Sequence, residues 1–236
     1  MNKNSSLGLA ITSVGDLLLN KTITRNQENK AIKSIDLVVP NYQRPYKWTA
    51  KNVIQLLDDI IEAKNCNKET YRVGTLILHY DNEKSVYNIV DGQQRTITFS
   101  LLLKSFLNNS VESEEIDFLN QTLSDNTYNS HNIPKNFRTL QRRIENIEER
   151  EREELFEYIK KNCEFIVVIT ENISEAFQFF DSQNARGKKL YPHDLLKAYH
   201  LREIHDLEVE ETEKIVKGWE DLNQKELSTL FSDYLY

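Results

Sequence analysis

Val86-Tyr87-Asn88-Ile89-Val90 runs into Asp91-Gly92-Gln93-Gln94-Arg95, and that turn opens the apolar run Ile97–Leu107. The β-branched and aromatic residues before the turn predict a strand, and the long apolar run after it predicts a helix. Gly92 can take positive φ and lets backbone approach a ligand closely. A strand, a tight glycine turn and a helix aim the free N–H groups of a helix N-terminus at whatever sits above the turn. Gln93 and Gln94 add neutral donors and acceptors, and Arg95 adds a planar fork matched to phosphate. Asp91, Gly92 and Arg95, with Gln93 and Gln94 beside them, are therefore candidate phosphate contacts. The plain alternative is a hairpin-to-helix turn whose Gln and Arg side chains, Arg95 among them, simply face solvent.

Working outward, Val73–His79 reads as a second strand, joined to the first through Asp81-Asn82-Glu83-Lys84. Ser34–Val39 is β-branched and ends at Pro40, which predicts a strand running into an extended loop. Thr49 is placed to cap a helix whose Val53, Leu56, Leu57, Ile60 and Ile61 follow the 3.6-residue period. From about residue 112 to 162 the chain is polar and helical in pattern, and the mixed charge of 138–161 predicts solvated helical faces. Cys163–Thr170 is a third convincing strand, followed by a helix through Ser174–Asn184, a break at Gly187 and a helix beginning near Pro192. The fold class is α/β (α+β): a small mixed sheet bearing the polar motifs, with a mainly helical second half. Residues 1–110 would form the phosphate-binding core and 111–236 the helical region, whose strand 163–170 completes that core. No linker marks a boundary, so one continuous domain is equally compatible.

The chain has 236 residues, 39% of them hydrophobic, enough for a sizeable core. No stretch reaches the roughly 18 consecutive apolar residues of a membrane span, so no membrane is expected. The N-terminal apolar run is interrupted by Asp16 and has no small-residue cleavage site, which does not resemble a secretory signal. Cys66 and Cys163 stand far apart without a second pair, which excludes a zinc knuckle or a redox pair and points to the reducing cytoplasm. A net charge of −7 argues against a protein whose whole surface grips DNA. Charge is nonetheless uneven. Arg186, Lys188, Lys189, Lys197 and Arg202 face only Asp194 within 184–202, and 203–226 is strongly acidic, a pattern that fits a focused anion site.

Asn41-Tyr42-Gln43-Arg44-Pro45-Tyr46-Lys47-Trp48 interleaves cations with aromatics in an extended stretch. That suits stacking on a base, by Tyr46 for example, and gripping a phosphate with Arg44. The alternative is a loop whose aromatics fill the core. Asn184-Ala185-Arg186-Gly187-Lys188-Lys189 reads either as an anion-binding rim or as an ordinary helix C-terminus with Gly187 at its end. Asp58 and Asp59 are the candidate magnesium ligands, set against the polar face of an amphipathic helix. His193 and His200 would share a helix face without a third ligand, His131-Asn132 lacks the surroundings of an HNH nuclease, and no catalytic nucleophile is identifiable.

The segments Val39–Trp48, Ile89–Arg95 and Phe180–Leu190 with Asp194-Leu195-Leu196-Lys197, in this order, resemble the GmrSD-type N-terminal domain of restriction and other phage-defence proteins. The resemblance spans roughly residues 13–205 and implies a ParB/sulfiredoxin-like fold in which a glycine turn ending in arginine binds nucleotide phosphates. It assigns the signature turn to Asp91, Gly92, Gln93, Gln94 and Arg95. It assigns the arginine motif to Gln43 and Arg44, and the third motif to Asn184, Arg186, Gly187, Asp194 and Lys197. Such domains are associated with binding or hydrolysis of nucleoside triphosphates, in places with DNA nicking, and many are followed by an HNH nuclease domain.

Three functions follow. The leading one is a nucleotide-binding domain, with a nucleoside triphosphate and Mg2+ as cofactors and weak NTPase activity, that gates DNA restriction. Gln93, Gln94 and Arg95 are then its candidate catalytic residues, the glutamines orienting a water and Arg95, with Arg44, neutralising the developing charge. The second is a DNA-binding or nicking module using the same arginines. The third is a non-enzymatic interaction subunit. Arg44 and Arg95 are expected to face one cleft with Asn184 or Arg186 at its rim. No double-strand nuclease activity is expected of this chain alone. The apolar face of Leu227–Tyr236 predicts further polypeptide, a nuclease domain or partner subunit, or a second copy in a homo-oligomer.

Overall fold

A computed structural model describes residues 8–28, 30–40, 43, 45–107 and 127–184. In chain order the elements are β1 (Gly8–Ser13), α1 (Val14–Leu18), β2 (Thr22–Ile23), β3 (Arg25–Asn26), β4 (Ile32–Lys33), β5 (Leu37–Val38) and α2 (Ala50–Asn65). There follow β6 (Tyr71–Asp81), β7 (Val86–Asp91), α3 (Gln93–Leu107), α4 (Thr127–Glu145), α5 (Glu149–Asn162), β8 (Cys163–Thr170) and α6 (Ile173–Asn184). The chain divides into two compact units, one of residues 1–39 and 45–179, the other of 40–44 and 180–236. The sheet and α1–α5 belong to the first, and the division falls within α6, after residue 179.

The main sheet has six strands among the described residues, in the order β3-β1-β8-β6-β7-β5. It is mixed: β6 runs parallel to β8 and β5 parallel to β7, while β1–β8, β1–β3 and β6–β7 are antiparallel. A parallel β6–β8 pair requires a long crossover. Here that connection contains β7 and the helices α3, α4 and α5. The strand expected over 163–170 has those ends and lies in the middle of the sheet, so the helical half supplies a central strand to the core. The architecture is the expected α+β one. The strand expected over Ser34–Val39 shrinks to the two residues of β5, while β1, which the sequence reading did not assign, pairs along its whole length with β8.

α3 is the hub. Only Arg95, Lys104 and Phe106 of its residues are not fully buried, and Phe99 meets Phe165 of β8 edge-on at 6.0 Å. A helix buried on all sides cannot show a polar face. Its buried hydroxyls are satisfied internally: Thr96, Thr98, Ser100 and Ser105 donate to the carbonyls of Gly92, Gln94, Thr96 and Leu101, at 2.7–3.0 Å. α2 begins at Thr49, whose N–H donates to Asn52 Oδ1 at 2.9 Å, and it buries Val53, Leu57 and Ile60.

Candidate functional site at the first turn of α3

Gly92 stands between β7 and α3 at φ +98°, a conformation that L side chains rarely adopt. A Cβ there would meet Leu76 Cδ1 at 2.8 Å and Thr75 O at 3.2 Å, so β6 and the turn touch backbone to backbone. The helical ladder starts with Thr96 N–H donating to Gly92 O at 2.9 Å. The N–H groups of Gln93, Gln94 and Arg95 lie ahead of that first bond. The motif thus presents a helix N-terminus, the donor set that suits an anion.

The three side chains of the motif do different work. Gln94 is buried and its amide is fully committed to the chain. Its Oε1 accepts from Lys47 N at 2.8 Å and Trp48 N at 3.3 Å, and its Nε2 donates to Pro45 O at 3.0 Å and Gln93 Oε1 at 3.4 Å. Gln94 therefore clamps the segment 45–48 onto the start of α3. Gln93, 5% exposed, makes only the weaker contact through its Oε1. Arg95 does not simply face solvent, as the plain alternative supposed. Its Nη2 donates to Thr75 O at 2.8 Å and its Nη1 to Val73 O at 3.4 Å, with Asp91 Oδ2 at 3.6 Å from Nη2. The guanidinium lies over Gly74, whose φ is +126° and where any Cβ would overlap Nη1. At that point β6 slips its register against β8, the bulge that exposes the two carbonyls. Arg95 and Asp91 both remain 27% exposed, so part of the fork still reaches solvent.

The segment clamped by Gln94 is also held from α4. Asn132 Nδ2 donates to Tyr46 O at 3.1 Å, and Asn136 Nδ2 donates to Trp48 O at 2.8 Å and to Tyr46 Oη at 3.1 Å. Thr98 Oγ1 already donates to Gln94 O, so in the 2.8 Å contact between the Tyr46 and Thr98 hydroxyls the tyrosine is the donor. Burial raises the Tyr46 phenol above its ordinary value, opposed by the bonds with Thr98 and Asn136. Asn136 Oδ1 is buried with no hydrogen-bond partner.

Tyr46 is wholly buried, which corrects the expectation that its ring stacks on a base. Its hydroxyl ties α3 to α4, and its ring fills the core. Gln43 is half-buried and its N–H donates to Pro40 O at 2.9 Å; it belongs to the second unit. Arg44, Arg186, Gly187 and Lys197, with the side chain of Asn184, lie outside the described residues, as does the expected convergence of Arg44 with Arg95. Asp58 and Asp59 stand exposed on α2. Asp58 Oδ1 pairs with Arg143 Nη2 at 3.3 Å, and no group of three metal-ligating side chains occurs among the described residues. Gly74, Asn136 and Thr98 were not singled out from sequence, and Asn132 was weighed only as part of an HNH pattern; of these only Gly74, a glycine inside a strand, carries a readable signal of a bulge or a close approach.

A mixed sheet whose bulged central strand supports a glycine turn and an arginine-bearing helix start defines an α+β domain built around one polar corner. The family described as GmrSD restriction endonuclease, N-terminal domain, matches residues 20–201, and the chain belongs to that family. A comparison with curated proteins finds no match. The match makes this a domain of a restriction or phage-defence system. Among the described residues no helix is long and apolar enough to cross a membrane.

Proposed function

We propose that the first turn of α3 binds the phosphates of a nucleoside triphosphate, and that this binding gates DNA restriction by a nuclease domain or partner subunit. The observation that supports it best is the helix start itself: the N–H groups of Gln93, Gln94 and Arg95 precede the first helical bond, beside the partly exposed Arg95 fork. Oriented backbone donors, a positive helix end and a bidentate cation are the recurrent parts of a phosphate site. Arg95 retains donors after serving Val73 O and Thr75 O, because a guanidinium carries five.

The catalytic assignments narrow accordingly. Gln94 is a positioning residue, since its amide has no donor left for substrate once it holds 45–48. Gln93 is the residue that would orient a water toward a γ-phosphate, with Arg95 neutralising the charge that develops. Bound Mg2+ would arrive with the triphosphate and offset its charge, and Asp91 is the carboxylate at the turn. Hydrolysis is expected to be slow, because Asp91, the carboxylate at the turn, already lies 3.6 Å from Arg95 and is a weak base.

Calorimetric titration with ATP, GTP and CTP tests binding. Arg95→Lys keeps the charge and loses the fork. It should weaken binding by roughly 10- to 150-fold, the loss expected when about 1.5–3 kcal/mol of charge-assisted bonding goes. Absence of heat with every nucleotide, from wild-type protein shown to be folded, would remove the proposal.

A further inference from the structure

The outer face of α4 carries a second anion-directed surface that the nucleotide reading leaves unused. Lys135, Arg138 and Arg142 are exposed at spacings of three and four residues, so they share one face of the helix. None of them forms an ion pair with a described residue, whereas the neighbouring Arg143, one position round the helix, is tied to Asp58. The three cations, with His131, Pro134 and Thr139, line one open concavity. Among the charged residues of α4, Lys135, Arg138, Arg142 and Arg143 face a single acid, Glu145, in a chain whose net charge is −7.

α5 offers a contrast, with three of its four cations paired within the helix and only Arg152 without an ion partner among the described residues. There Arg150 pairs with Glu154, and Lys160 and Lys161 both pair with Glu157, at 2.6–3.2 Å. Carboxylates are abundant in the sequence, yet among the described residues none pairs with the α4 row. Seven residues of helix, Lys135 to Arg142, rise about 10.5 Å. A duplex carries one phosphate per strand for each roughly 3.4 Å of its axis, so a row laid along that axis spans the rise of about three phosphates. No exposed aromatic interleaves the three cations, which fits backbone contact without base reading.

We infer that Lys135, Arg138 and Arg142 form a sequence-independent contact for the phosphate backbone of duplex DNA. This surface goes beyond the nucleotide proposal and does not rest on it. Its place in the fold is informative. The same helix holds 45–48 through Asn132 and Asn136, so its inner face builds the polar corner while its outer face meets the nucleic acid.

The test is fluorescence anisotropy of the full chain with a labelled duplex, repeated across salt concentrations. Three phosphate contacts contribute a slope of about −2.7 to log affinity against log salt, or roughly 40-fold between 50 and 200 mM. Lys135→Ala, Arg138→Ala and Arg142→Ala together should remove that part of the slope, each alone about 0.9. The control Arg150→Ala, Arg152→Ala, Lys161→Ala removes the same charge from α5 and should leave the slope nearly unchanged. Thermal unfolding of each variant confirms that it is folded. An equal loss in the α5 control would reduce the effect to net charge and overturn the inference, as would a wild-type slope that the α4 variants do not change. Polyglutamate bound as tightly as duplex DNA at matched charge would also overturn it, in favour of an acidic protein partner.

Discussion

In the first turn of α3, Gln94 commits both ends of its amide to the backbone of 45–48 and Arg95 lies across the bulge of β6. On the outer face of α4, one helix away, Lys135, Arg138 and Arg142 extend into solvent without an ion partner among the described residues. Both regions are polar, and their polarity has opposite uses. Inside, Gln94 and Arg95 answer backbone groups of 45–48 and of β6, so removing them exposes a deficit. Outside, water already satisfies the charge, so the side chains contribute little to the fold and are free to meet a ligand. Conspicuous residues are thus not all functional in the same sense: part of the signature motif is architecture that holds a site, while quieter residues on α4 have no such duty.

The largest way to break this contrast lies under Arg95. Gly74→Ala would set a Cβ against the guanidinium at φ +126°. Strain of about 1–3 kcal/mol and displacement of Arg95, costing about 1–3 kcal/mol more, should together lower unfolding free energy by roughly 2–6 kcal/mol. Denaturant titration measures it. A variant within about 0.5 kcal/mol of wild type would mean that Arg95 moves aside freely and is no part of the frame.

Next comes the pair Gln93 and Gln94. Gln94→Ala leaves Lys47 N–H, Trp48 N–H and Pro45 C=O without their partner. At about 1–3 kcal/mol for a buried group left unmade, and with water reaching some of them, a loss of roughly 2–4 kcal/mol is expected. Gln93→Ala removes one 3.4 Å contact and should cost under about 1 kcal/mol. The same denaturant series reads both, and equal losses at the two positions would contradict the division of labour between positioning and chemistry.

His79 in β6 is half-buried and stands between the two regimes. Burial lowers its pKa below the ordinary 6.5, opposed by a bond involving the Glu171 backbone and by the Asp81 charge. The folded state therefore binds fewer protons than the unfolded one just below pH 6.5, so stability rises with pH there. His79 should make the protein lose stability as pH falls from 6.5 through its lower folded value. His79→Gln should flatten that part of a stability profile measured from about pH 7 to about pH 5. An unchanged profile would show that the imidazole is solvated in both states.

The fold was legible where one period dominated the sequence. Val86–Val90, Cys163–Thr170 and the apolar run after Gly92 each have a length and composition that admit one reading, and they fixed the strand–turn–helix frame and the central strand. β1 was missed because Ala10 and Thr12, its buried residues, are small or polar, while Leu9 on its other face is 42% exposed. That inverts the pattern that announces a strand. At the site, Gly92 and Arg95 were legible from chemistry alone. The roles of Gln94, Tyr46 and Asn136 were not, because they depend on bonds between residues 46 to 90 positions apart. Charge pairing has the same limit. Composition grouped 138–161 as one solvated stretch, whereas the structure separates Arg138 and Arg142 of α4, unpaired among the described residues, from α5, where three of the four cations are paired.

The smallest expected effect has the opposite sign to the others. Arg138 and Arg142 are four residues apart, and Lys135 and Arg138 three, so each pair of like charges on the helix surface opposes folding by about 0.2–0.5 kcal/mol. Alanine at these positions relieves that repulsion and has the best helix propensity. Lys135→Ala, Arg138→Ala, Arg142→Ala should therefore leave stability unchanged or raise it by up to about 1 kcal/mol. The gain should shrink as added salt screens the repulsion. Every substitution at the α3 corner lowers stability, so the sign alone separates the two regions. A face that would be more stable without its cations keeps them for contacts outside the fold, the trade expected of a binding surface. A loss of more than about 1 kcal/mol in the triple variant would instead make the row a structural feature of α4. The measurement is thermal unfolding at low and high salt.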